Sequence, residues 1–101
     1  MSLKLDLINR GKEGELVMIG RLDSMTSEEA EKVLDDLTER FDVLILNMQG
    51  LDYISSAGLR LMKRAYMAMR RKNGSLMLKK VNKMVMEVFE VTGFAGLLTF
   101  I

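Results

Sequence analysis

Two adjacent hydroxyls, Ser55 and Ser56, followed by the small residues Ala57 and Gly58, are where this sequence has the clearest capacity for chemistry. The hydrophobic pattern that follows is helical, so all four residues fall at a helix start. Small side chains there let another molecule approach the backbone. The first-turn N–H groups have no intrahelical partners and carry the positive end of the helix dipole. A phosphate on a serine at this point would be met by free donors, as anions are at other helix starts. Plain helix capping, at which serine excels, satisfies the same pattern.

The rest of the composition narrows the chemistry. No Cys is present, which excludes disulfides, thiolate catalysis and thiolate metal sites. No His is present either, removing the commonest general base and the commonest metal ligand. A glycine-rich phosphate loop is also missing, so a small enzyme or nucleotide hydrolase is disfavoured. A binding module without metal or cofactor is expected. Fifteen basic residues against fourteen acidic ones give a net charge of +1, and so no overall field toward nucleic acid or an anionic membrane. No apolar run approaches the roughly eighteen residues of a membrane span. Lys4 and Asp6 interrupt what would be the apolar part of a secretory leader, so a cytoplasmic protein is expected.

The 101 residues suffice for one domain, 1–101, with one core. Leu3, Leu5 and Leu7 alternate with Lys4 and Asp6, the period of a half-buried strand. A turn over residues 10–14 leads to a returning strand at Leu16–Ile19, making a hairpin. Thr26 and Glu29 have the spacing of a capping box, and Ala30, Val33, Leu34, Leu37 and Phe41 recur at helical intervals. Val43–Leu46 is an unbroken apolar run of strand length, expected at the centre of a sheet. A loop is expected after Met48. The second helix runs from about Ser56 to Lys72, with Leu59, Met62, Ala65, Tyr66 and Met69 inward, and Gly74 is the left-handed residue expected after it. Leu76–Leu78 reads as a strand, and Asn82 caps a third helix that Gly93 stops. Leu97–Ile101 is an apolar end suited to one last strand. The fold class is α/β, order β-β-α-β-α-β-α with a possible final β, on a mixed, mostly parallel sheet. Sites in such sheets form beyond the carboxyl ends of the strands, here in the loops expected after Ile19 and Met48.

Tyr53-Ile54-Ser55-Ser56-Ala57-Gly58-Leu59 resembles the signature of STAS domains, the anti-sigma factor antagonists. Gly20-Arg21-Leu22-Asp23 is similar to the family's Gly-x-Leu-Asp segment. Asn73-Gly74-Ser75-Leu76 and the stretch from Val88 to Phe94 match later segments in order and spacing. The resemblance covers nearly the whole chain and implies a STAS-like four- to five-stranded sheet. It also implies partner switching. The unphosphorylated antagonist binds an anti-sigma factor with serine kinase activity, which then phosphorylates it and lets go, and a phosphatase restores the binding form. By position in the motif the acceptor is Ser56. Some members carry an acid before that serine where this chain has Ser55, which leaves Ser55 as the alternative acceptor. Asp23, with Ser24 beside it, falls in the loop flanking the serine, at the implied partner surface with Ser55, Ser56, Ala57 and Gly58. A STAS subunit that is never phosphorylated, regulating a transporter or a signalling assembly, is the alternative. Members commonly continue into a last helix, which a chain ending at Ile101 is expected to lack.

Other residues have two readings each. The first helix carries Glu28, Glu29, Glu31, Asp35, Asp36 and Glu39, and the second carries Arg60, Lys63, Arg64, Arg70, Arg71 and Lys72. These are solvated faces that partly neutralise each other, or a basic docking face in which Arg60 and Arg64, nearest Ser56, would take part. Most of the ten Met residues are core fillers, with Met25 and Met67 as possible contacts. Tyr53 is expected to bury its ring under the loop, Phe94 is a second aromatic candidate for an interface, and Asp52 is expected in a turn.

Overall fold

The computed structural model describes residues 2–101. Strand β1 (Leu3–Arg10) turns through Gly11 and Lys12 into β2 (Glu13–Leu22), followed by helix α1 (Ser27–Arg40), β3 (Val43–Ile54), α2 (Ser56–Arg71), β4 (Ser75–Lys79), α3 (Lys83–Thr92), a single 3-10 turn (Phe94–Gly96) and β5 (Thr99–Phe100). The sheet order is β1-β2-β3-β4-β5, with β1 antiparallel to β2 and every other pair parallel. This is the expected mixed α/β sheet, with the final strand present.

The inward residues of the strands, among them Leu16, Met18, Leu22, Leu44, Leu46 and Leu78, share one apolar cluster with Ala30, Leu34 and Leu37 of α1, Met62 and Met69 of α2, and Val85 and Phe89 of α3. The result is one layer of helices on one face of the sheet, about 21 Å through its thinnest direction. No helix among the described residues is long and apolar enough to cross a membrane. Met18, Met48, Met62 and Met69 are core fillers, whereas Met25, Met67 and Met84 are exposed.

Several local expectations need correcting. Both strands that lead to the serine segment run further than their apolar runs suggest, β2 to Leu22 and β3 to Ile54. The flanking loops therefore begin after Leu22 and Ile54, not after Ile19 and Met48. Asp52 lies on β3 and not in a turn. Thr26 stands at the N-cap of α1 but makes no capping bond, because its hydroxyl is spent on the preceding loop, donating to the Arg21 carbonyl at 2.9 Å. After α2 the left-handed residue is Asn73, at φ 60°. Gly74 is needed for space instead, since a Cβ there would meet the Asp42 carbonyl and the Met69 methyl, each at 2.8 Å. Asn82 caps α3 through a 2.9 Å bond from the Val85 N–H, and Gly93 stops it at φ 84°.

The sheet face turned away from the helices carries a carboxylate that is only 3% exposed, Glu15. It accepts from Asn47 Nδ2 at 3.0 Å, Arg10 at 2.9 Å and Lys79 Nζ at 3.3 Å. The bonds from Asn47 and Arg10, helped by Lys79, outweigh desolvation and hold its pKa at about 2 against an ordinary 4.5. The stabilisation this gives is complete above the ordinary value and is lost as the pH falls from there toward 2.

Candidate functional site

The ends of β2 and β3 hold the serine segment. Leu22 and Ile54 are register partners, and the Ser55 N–H donates to the Leu22 carbonyl at 2.9 Å, so the ladder's last bond fixes the first residue beyond the sheet. Both side chains are buried, and they form the floor on which α2 starts.

The two serines divide the work that either could do. Ser55 is the N-cap: its backbone is extended, and its hydroxyl accepts from the Gly58 N–H at 3.4 Å. Ser56 is the first helical residue, is exposed, and makes no side-chain hydrogen bond among the described residues. With Gly58 and Leu59 N–H bonded to Ser55, the N–H groups of Ser56 and Ala57 are left for solvent or a ligand. No acidic residue occupies the first turn of α2, so nothing on the helix itself answers the positive end of its dipole.

Gly58, expected at the partner surface, does not belong to the exposed surface. It is buried, and a Cβ would lie 2.7 Å from Ile54 and 2.9 Å from Leu22. Its smallness lets α2 sit down on the sheet. Ala57 is half-buried beside it.

The loop after β2 is locked by its own polar groups. Asp23 Oδ1 accepts from the N–H groups of Met25 at 2.9 Å and Thr26 at 3.1 Å, and the Asp23 N–H donates to Thr26 Oγ1 at 3.0 Å. Desolvation pushes the Asp23 carboxyl up. The Thr26 and Met25 amides and the Arg21 guanidinium together overcome it and hold the group below the usual carboxylate range. Asp23 is therefore half-buried and occupied in shaping the loop, while Ser24 and Met25 stand at its tip, Met25 at 89% exposure.

Arg21 joins the site without having been singled out in the sequence. It lies opposite Tyr53 in the ladder, with its guanidinium 4.2 Å from that ring's centre and 3.4 Å from Asp23. Tyr53 is 40% exposed, not buried beneath the loop as expected: it lies on β3, where Arg21 covers one face of its ring. Only the cross-strand register brings the two together, and a linear reading gives no hint of it.

The two basic candidates on α2 differ in state. Arg64 makes a two-pronged pair with Asp35 of α1 at 2.9 Å on both arms, with Glu31 at 3.8 Å. It is engaged in the neutralisation between the helices. Arg60 is exposed and has no ion pair among the described residues. Ser27, Glu31, Ala57, Arg60, Leu61 and Arg64 line an open depression of roughly 340 Å³ between the starts of the two helices.

The STAS domain family matches residues 8–101 of the chain. BtrV of Bordetella bronchiseptica, named as an anti-sigma factor antagonist, is 33% identical over 100 residues, covering 96% of this chain and 83% of that protein. The crystal structure of an anti-sigma factor antagonist from Mycobacterium paratuberculosis superposes with a TM-score of 0.87 at 13% identity, over 98% of this chain and 85% of the other. The Bacillus cell-fate determinant SpoIIAA in its phosphorylated form gives 0.74 at 17% identity, over 99% and 91%. At those identities the two structures establish the fold alone. Together with the family match over most of the sequence and the relationship to BtrV, they lead to one conclusion: the chain belongs to the STAS-domain family of anti-sigma factor antagonists.

Proposed function

We propose that this protein is a partner-switching regulator that binds an anti-sigma factor with serine kinase activity when unmodified and releases it when Ser56 is phosphorylated. A phosphatase returns it to the binding form. The observation that carries this reading is the state of Ser56: exposed, without a side-chain hydrogen bond among the described residues, and placed at a helix start with no acid in its own first turn, while its neighbour Ser55 is used up as the cap. SpoIIAA, which shares the fold, has been solved in both unphosphorylated and phosphorylated forms, so this architecture accommodates the modified state in a relative.

The switch follows from electrostatics. Phosphorylation adds about −1.5 to −2 charge and three acceptor oxygens at a point where a partner touches. The free N–H groups of Ser56 and Ala57 stabilise that charge within the domain, so the fold persists. A partner pressed against the same point must strip water from the dianion, which costs several kcal/mol, and each ~1.4 kcal/mol is tenfold in affinity. Ser24, Met25, Ala57 and Arg60, on the adjoining loop and the start of the same helix, serve as contacts, and Asp23 holds the loop that presents the first two. Release thus comes from local repulsion. The protein itself performs no catalysis.

The test is incubation with the cognate anti-sigma kinase and ATP, followed by intact-mass measurement and phosphosite mapping. One phosphate on Ser56 is expected, with none on Ser56→Ala, which should still bind the kinase. Stoichiometric modification of Ser56→Ala would overturn the site assignment. A wild-type chain that binds its partner but is never modified would be a constitutive interaction subunit instead.

A further inference from the structure

The two edges of the sheet are unequal. At one side β5 offers two residues, whereas β1 at the other offers eight, Leu3 to Arg10. An exposed edge of that length is a template for another strand. We infer that β1 pairs antiparallel with β1 of a second copy of this chain, in a two-fold register centred on Leu5.

The hairpin fixes which backbone groups face outward. Arg10 and Glu13 are partners across the two-residue turn, and at the far end the Arg21 N–H donates to the Ser2 carbonyl at 2.9 Å. The ladder between them is unbroken, so the even-numbered residues of β1 bond toward β2. The N–H and C=O groups of Leu3, Leu5, Leu7 and Asn9 therefore point away from the sheet. A two-fold copy must pair odd residues with odd residues, which leaves only a few registers.

Charge selects among them. Centring on Lys4 sets two lysines face to face, centring on Asp6 does so with two aspartates, and centring on Leu7 opposes Lys4 to Arg10. Centring on Ile8 opposes Asp6 to Arg10, which is already 2.9 Å from Glu15, and sets Leu7 against Asn9. Centring on Leu5 opposes no like charges and matches every position from Leu3 to Leu7, with Ser2 falling opposite Ile8 beyond them. Leu5 meets Leu5 and Leu3 meets Leu7 on the helix side, covering Leu7, which is 38% exposed in the single chain. On the other side Lys4 meets Asp6, and Asp6 meets Lys4, at the narrow pairs where opposed side chains come closest. Lys4 and Asp6 of one strand already lie 3.6 Å apart, so the copy completes a square of four charges alternating in sign. A strand pair this short buries little area, which makes the dimer a weak one.

The experiment is sedimentation of the full chain across a concentration series reaching the millimolar range. Wild type should pass from monomer toward dimer. Lys4→Asp alone or Asp6→Lys alone places like charges opposite each other twice per dimer, and each should raise the dissociation constant about tenfold. The double exchange, Lys4→Asp with Asp6→Lys, restores the alternation and should restore wild-type association. Both side chains are more than half exposed, and circular dichroism should show each variant folded. A protein that stays monomeric throughout, a dimer indifferent to the single exchanges, or a double exchange that fails to rescue would each overturn the inference. None of these outcomes bears on Ser56.

Discussion

The starts of α1 and α2 can be laid side by side, residue for residue. At the cap and first position one reads Thr26-Ser27 and the other Ser55-Ser56. At the next two positions they part: Glu28-Glu29 in α1, Ala57-Gly58 in α2. In α1 two carboxylates answer the helix dipole. The cap hydroxyl is then free to tie the Arg21–Thr26 loop together. In α2 the hydroxyl at the cap does the capping, no acid follows, and the small residues let the helix sit against Leu22 and Ile54. The same local grammar thus yields one start that is electrostatically finished and one that can still take a charge. A hydroxyl at a helix start becomes a switch through what its neighbours leave undone.

The largest way to probe this contrast is to place a permanent charge at both first positions. Ser56→Glu should weaken the anti-sigma complex about a hundredfold in calorimetric titration, because an unmatched charge must be desolvated. Ser27→Glu should change it by less than about threefold, since Glu28 and Glu29 already make that helix start negative. Equal losses at the two sites would erase the distinction. Next comes the floor of α2. Gly58→Ala forces a methyl against Ile54 and Leu22 and should cost about 1–3 kcal/mol in urea denaturation. Ser55→Ala should cost about 1 kcal/mol through the lost cap, yet leave phosphorylation of Ser56 intact by mass spectrometry. Smallest is the removal of the α1 acids. Glu28→Gln and Glu29→Gln should each lower stability by about 0.3–1 kcal/mol at low ionic strength, an effect that added salt suppresses.

What could be read from the sequence follows the range of the interactions. The serine segment was legible because a cap, a helix start and a motif are written in consecutive residues. The element order was legible because helical spacing and short apolar runs alternate along the chain. The ends of β2 and β3 were not. Leu44, Leu46 and Met48 face the core at intervals of two, but Leu51 and Ile54 follow at intervals of three, because the ladder shifts register between Val17 and Ile19 and again between Gly20 and Arg21. A pattern of strict alternation stops at Met48 and reports a loop. The burial of Gly58 and the pairings of Arg21 with Tyr53 and Arg64 with Asp35 were hidden for a related reason: each joins residues that only the folded chain makes neighbours. Thr26 misled differently. Its spacing to Glu29 suits a capping box, but the Arg21 carbonyl and the Asp23 amide claim its oxygen.

The two register shifts set ten residues of β2 against twelve of β3 over the same span, in the manner of a vernier scale. Each surplus residue turns the strand half a revolution, and two bring Ile54 back into phase with Leu22. Deleting one residue such as Asp52 would leave the serine sequence untouched while swinging Ile54, and with it the root of α2, toward the wrong side of the sheet. The aim of the hydroxyl is thus set by a residue count in the strands behind it as much as by the motif that contains it.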